Sequence, residues 1–157
     1  MGMSPYFARI RAAVGSELIL IPGASVLPWD EECRLLLVRN KVDGPWGLIG
    51  GAVEPDESPH EAALREAFEE VGIQLEITGL RAVLGGPAFR FRYENGDEVA
   101  YVQTLFDARI TAGVPTPDLD EVTEARWFSA DELTRSELDG FARATLIAVE
   151  LIPNSRQ

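Results

Sequence analysis

The sequence predicts a mixed α/β domain, a sheet with helices on its faces. Three observations predict it. Short apolar, strand-like runs recur along the chain, a capped amphipathic helix stands among them, and a glycine-rich connection leads from strand to helix. The 157 residues suit one domain spanning 1–157, large enough for a substantial core. Hydrophobic content of 46% and charged content of 25% are ordinary globular values and argue against disorder.

Taken in order, residues 5–13 (PYFARIRAA) form a short helix or an irregular lead-in. Residues 16–27 (SELILIPGASVL) are strand-like, with an interruption expected at Pro22-Gly23. Asp30-Glu31-Glu32 make a polar turn, and residues 33–39 (CRLLLVR) read as a buried strand that takes Cys33 into the core as an inert thiol. Residues 42–47 carry turn chemistry, and Leu48-Ile49 lead into a loop at Gly50-Gly51. Ser58 is a helix N-cap with Pro59 at the first helical position, Glu61 completes a capping box, and Gly72 closes the helix. Leu64, Ala67, Phe68 and Val71 fall at helical spacing as its core stripe. Residues 74–85 suggest a strand broken at Gly79, and residues 89–93 and 98–110 a hairpin around Asn95-Gly96. A polar loop over 112–123 precedes a short strand at 125–128, a brief helix capped by Ser129, and a closing helix over 136–151.

Charge and composition narrow the function. A net charge of −12 opposes tracking along a nucleic-acid backbone but is compatible with a small phosphorylated substrate. One cysteine excludes an internal disulfide framework, and no stretch approaches a membrane span. With no secretory signal evident, the expected location is cytoplasmic, with no nucleic-acid or membrane partner and a homodimer left open. The lone histidine, His60, is a partly exposed helix-start residue, and no serine or cysteine stands in a nucleophile-elbow context, so water is the better nucleophile.

The chemistry lies in the predicted helix. Glu66, Glu69 and Glu70 fall at i, i+3 and i+4, away from the expected core stripe. Like charges at this spacing cost roughly 0.2–0.5 kcal/mol per pair. They also sit in the last turn and a half, where the helix dipole favours cations. A divalent ion relieves both penalties, and an all-oxygen donor set favours Mg2+, with Mn2+ acceptable.

Read from Gly51, the segment GAVEPDESPHEAALREAFEEVGI places Glu57 after five intervening residues, Arg65-Glu66 after seven more, then Glu69-Glu70 and Gly72-Ile73. Every fixed position of the Nudix box is filled, so the chain resembles the Nudix hydrolases, which cleave nucleoside diphosphates linked to another group. The resemblance implies an α/β/α sandwich with Glu69, Glu70 and the Gly50 carbonyl as principal metal ligands. It also implies that Glu66 holds a further ion or positions water, that Arg65 orients a glutamate, and that Glu57 supports the loop or a second metal. A catalytic base is sought in a loop before a Trp-Phe strand, where Glu121 is the candidate and Glu124 the alternative. Trp46, Arg90, Arg92 and Tyr93 are candidates for a nucleotide pocket, with packing beneath the loop the favoured role for Trp46. Ile49 stands where relatives often have proline. Pro87 and Arg90 match the substrate markers of ADP-ribose and diadenosine-polyphosphate enzymes poorly or not at all. The reading is a metal-dependent pyrophosphohydrolase of a diphosphate-linked nucleoside. A triphosphate pyrophosphatase of the MutT kind is the alternative within the chemistry, and a non-catalytic nucleotide sensor the alternative outside it.

Overall fold

The computed structural model describes residues 4–154. Helix α1 (Pro5–Val14) is followed by strands β1 (Ile19–Trp29), β2 (Leu35–Arg39), β3 (Trp46–Gly47) and β4 (Ile49–Ala52), then helix α2 (Pro59–Val71). Strand β5 (Gln74–Leu84), a 3-10 turn over Pro87–Phe89, and strands β6 (Arg90–Arg92), β7 (Glu98–Ala112) and β8 (Glu124–Phe128) come next. Helices α3 (Ala130–Arg135) and α4 (Gly140–Ala148) close the fold. The strands form one mixed sheet in the order β3-β2-β1-β7-β5, with β4 on β1, β6 on β7 and β8 on β2. β1 and β7 run parallel through its centre, from Ile19↔Val99 to Trp29↔Arg109.

Alternation along the strands divides the core between the two faces. Ala62, Ala63, Ala67 and Val71 of α2 pack with Ala24, Val26, Leu36, Val38 and Ala108 on one face. Leu133, Ala142 and Leu146 pack with Leu27, Leu35, Leu105 and Phe128 on the other. The predicted helix–sheet–helix layering is therefore the observed one. α1 covers the start of the sheet through Phe7 and Ile10, against Ile19, Ile21 and Val99.

Several local expectations are corrected. Pro22-Gly23 does not interrupt β1, because pairing with β4 begins only at Gly23↔Ala52 and the N–H that Pro22 lacks falls where that pairing ends. The expected strand from Cys33 starts at Leu35 instead. Asp30 Oδ1 accepts the Glu32 and Arg34 backbone N–H groups (3.1 and 2.7 Å), which holds the preceding turn with Cys33 exposed at φ 57°. Gly50-Gly51 lie in β4 and not in a loop. Gly79 does not end β5, which continues through it with register shifts between Ile77 and Gly79 and between Leu80 and Ala82. The closing helix is shorter than 136–151. Trp46 N–H donates to Glu137 O (2.8 Å) and Asp139 N–H to Trp46 O (2.9 Å), keeping this segment extended until Asp139 caps α4.

Candidate functional site

Helix α2 has the predicted ends. Ser58 Oγ accepts the Glu61 N–H, Glu61 returns the bond to the Ser58 N–H at 2.8 Å, and Gly72 closes the helix in the left-handed region at φ 67°. Its rotation differs from the expected one. Phe68 is exposed and Leu64 half-buried, whereas Glu66 and Glu70 share the buried side with Ala62, Ala63, Ala67 and Val71. The expected single patch of three glutamates is thus divided, with Glu69 exposed and the other two enclosed.

Arg65 organises the mouth of the site. Its guanidinium forks onto Glu57 at 2.7 and 3.0 Å, reaches Glu66 and Glu69 at 2.9 Å each, and donates to the Ala52 carbonyl at 3.2 Å. Glu57 also accepts the Glu54 N–H at 2.9 Å, pinning the loop between β4 and α2. The Arg65 side chain and the Glu54 N–H hold the Glu57 carboxylate below its ordinary range, despite partial burial.

Behind this cation the balance reverses. Glu66 and Glu70 are only 6% and 3% exposed. Burial pushes Glu66 up, opposed by Arg65 and reinforced by the charges of Glu69 and Glu121. Burial pushes Glu70 further, helped by the charges of Glu66 and Glu121 and resisted by the Gly50 N–H, which donates to Glu70 Oε2 at 3.4 Å. Glu121, half-buried in the loop before β8, thus acts electrostatically on both enclosed glutamates. The alternative, Glu124, is paired instead with Arg39 at 3.3 Å.

Gly50 is the backbone element of the site, at φ 150°. A Cβ there would stand 2.3 Å from Ala24 O and 2.4 Å from Ser25 Oγ, so only glycine fits. Among the described residues, no three His, Cys, Asp or Glu side chains form a ready cluster for a metal ion. The donor chemistry nonetheless fits a hard divalent cation: two enclosed carboxylates that repel one another, and a glycine backbone at their side that a Cβ would block. Glu66, Glu70 and the Gly50 carbonyl are the groups that would hold it, with Glu69 joining once it leaves Arg65.

The candidates for the nucleotide pocket are not gathered here. Trp46 is 4% exposed, edge-on to Phe128 at 4.8 Å and covered by the Arg39 guanidinium at 4.1 Å. It is a packing residue with no face open to a base, which corrects its place among the substrate contacts. Arg90, Arg92 and Tyr93 lie on or just after β6, which pairs with β7 at Glu98–Ala100. The β4 glycines align with β1 at Ala24 and Ser25, level with Thr104 and Leu105 of β7. Arg90 is an ion-pair partner of Glu98, and the Tyr93 hydroxyl lies 3.1 Å from that of Tyr101. His60 is exposed, its ring 6.1 Å from Phe106. The sequence reading passed over Ser25 and Gln103, a buried hydrogen-bonded pair at 2.6 Å beneath Gly50. Ser25 is the one polar residue of β1, whereas Gln103 is one of several polar residues of β7 and carried no signal of its own.

Comparison with known proteins gives one consistent answer. The family model described as "NUDIX domain" matches residues 20–148. A Bacillus subtilis (strain 168) protein provisionally described as an 8-oxo-dGTP diphosphatase is 36% identical over 111 residues, covering 71% of this chain and 68% of the relative. The nucleoside triphosphatase NudI of Escherichia coli O1:K1 / APEC is 30% identical over 117 residues, 73% of this chain and 82% of its own. Among solved structures, a MutT NUDIX hydrolase from Burkholderia pseudomallei aligns with TM-score 0.67 and 29% identity, over 85% of this chain and 98% of its own. Among the described residues, no helix is long and apolar enough to cross a membrane.

Proposed function

The chain belongs to the Nudix family and is a hydrolase of nucleotide-like pyrophosphates, and from that premise we propose that it cleaves nucleoside triphosphates to a monophosphate and pyrophosphate with Mg2+ or Mn2+. The observation that carries the metal-dependent chemistry is the enclosed pair Glu66 and Glu70 beside Gly50, with Glu121 close enough to raise both. A bound divalent ion supplies Lewis acidity at phosphorus and a more acidic water. The chain's own work is to aim its donors and move a proton. Arg65 holds Glu57 and Glu66 in place, and Glu121 takes the proton from the attacking water. The carboxylates repel phosphate by themselves, and a divalent ion held by Glu66, Glu70 and the Gly50 carbonyl would offset that charge.

The order of substrates follows the relatives. The sequence alone placed diphosphate-linked nucleosides first, but relatives at 30% identity or more include proteins described by their action on nucleoside triphosphates. The second reading keeps one support: an ADP-ribose pyrophosphatase from Streptococcus suis 89-1591 aligns at 25% identity with TM-score 0.66. A panel with Mg2+ decides between them, scored by products. Monophosphate plus pyrophosphate from triphosphates, at a kcat/KM at least ~10-fold above that for ADP-ribose or nucleotide sugars, is the expected result. Turnover confined to diphosphate-linked substrates overturns it, and nucleotide binding without any product identifies a sensor. Glu69→Gln is expected to keep the fold, because the side chain is exposed, and to lose most turnover. Full activity in that variant removes Glu69 from the mechanism.

A further inference from the structure

We propose that Gln103 is a positioning residue for the metal-binding backbone, acting through Ser25 to fix the Gly50 peptide opposite Glu70. The inference rests on the metal-dependent reading above. β1 lies between β4 and β7, with Gly50 aligned to Ser25 and Gln103 aligned to Gly23. Gln103 Nε2 donates to Ser25 Oγ at 2.6 Å, and the two residues are 2% and 3% exposed. To get there the carboxamide passes over Gly23, where a Cβ would stand 2.1 Å from Gln103 Oε1. Ser25 Oγ in turn fills the space beside the Gly50 Cα, 2.4 Å from where a Cβ would be. On its other side Gly50 donates to Glu70. Contact therefore runs unbroken from β7 across β1 to β4 and α2, past Gly23, whose missing Cβ leaves room for the carboxamide, to Gly50, where the backbone admits only glycine.

Two physical arguments make this a device and not incidental packing. β4 has four residues and pairs only with β1 among the described strands, and its adjacent glycines carry the least intrinsic restraint on backbone angles. Oxygen ligands must meet a Mg2+ ion with near-ideal octahedral geometry, so the freedom of that short strand has to be removed from outside. The second argument is cost. Neighbouring positions on this face are filled by Leu27 and Leu105, and burying an amide and a hydroxyl there is at best nearly neutral against an apolar pair. A short hydrogen bond that holds Oγ against Gly50 gives what leucine cannot: a fixed position for one small atom.

The test is Mn2+ binding, read from the loss of the free-ion electron paramagnetic resonance signal, together with thermal melting. The chains compared are wild type, Gln103→Leu, Ser25→Ala, the double variant, and Leu105→Ala as a buried neighbour. Each single variant is expected to weaken Mn2+ binding about tenfold, the ordinary effect of losing an orienting partner behind a ligand. The double variant should be no weaker than the poorer single one, since both break the same link. Leu105→Ala should lower the melting temperature and leave Mn2+ affinity within about twofold of wild type. Ser25→Ala removes one atom and is the decisive variant should Gln103→Leu not fold. Mn2+ affinity within about twofold of wild type in Ser25→Ala overturns the inference. Should wild type itself bind no Mn2+, the metal reading falls, and this inference with it.

Discussion

Arg65 makes five hydrogen bonds to three glutamates and one carbonyl, one for each N–H of its guanidinium. Lysine keeps the charge but cannot fork, so Arg65→Lys should lower stability by about 1–2 kcal/mol in chemical denaturation, discounted for the partial exposure of the site. An unchanged midpoint would show these bonds to be worth no more than their competition with water. Glu70 presents the opposite case. Its pKa is raised above the ordinary 4.5 by burial and neighbouring charge, so the folded state holds its proton more tightly than the unfolded one. The stability it permits is intact below that ordinary value and is lost as pH climbs through the raised one. Glu70→Gln, which still offers Gly50 an acceptor, should therefore stabilise the metal-free protein by about 0.5–2 kcal/mol at pH 7–8. The gain should fade towards pH 4, and turnover should fall by at least ~100-fold. A variant less stable than wild type at pH 8 contradicts the assignment. Sequence spacing identified these residues but not their burial, because acidic side chains are read as solvated unless function holds them inside.

Among the elements, α2 was the most legible in sequence because its determinants are local: a cap, a proline, a reciprocal glutamate and a terminal glycine. Its rotation was not, since Phe68 outranks Glu70 on any hydrophobic stripe and yet lies outside. The start of β2 after Cys33 and the extended segment before Asp139 were misjudged for another reason. Their limits are set by side-chain and long-range backbone hydrogen bonds, from Asp30 in one case and Trp46 in the other, that no periodicity records. Ser58→Ala removes one side of the capping box and should cost about 1 kcal/mol by denaturant unfolding. Asp139 serves α4 in the same way, accepting the Ala142 N–H, but burial raises its pKa above the ordinary 3.8. Its contribution therefore declines as pH rises from that value. Asn at position 139 keeps the cap without the charge, so Asp139→Asn should match or exceed wild type at pH 7, while Asp139→Ala loses about 0.5–2 kcal/mol. Equal losses in the two variants would assign the effect to the carboxylate itself.

At the scale of the whole molecule, a charge of −12 on 157 residues places repulsion over the entire surface. The melting temperature is expected to rise by a few degrees as NaCl goes from about 20 to 200 mM, where the screening length falls towards ~8 Å. A flat response would mean that the ion pairs lost to screening offset the repulsion relieved. The layering of helix, sheet and helix was legible from the order of elements, but the parallel seam between β1 and β7 was not, because nothing local encodes which distant strands become neighbours. β5 lies at the end of the strand order, with β7 as its partner. Its two interior register shifts fall within six residues, so a straight strand from another molecule laid along its outer side would lose step almost at once. Concentrated solutions should then resist the edge-to-edge zippering that seeds fibres, a protection built from one surplus residue at Thr78 and another at Arg81.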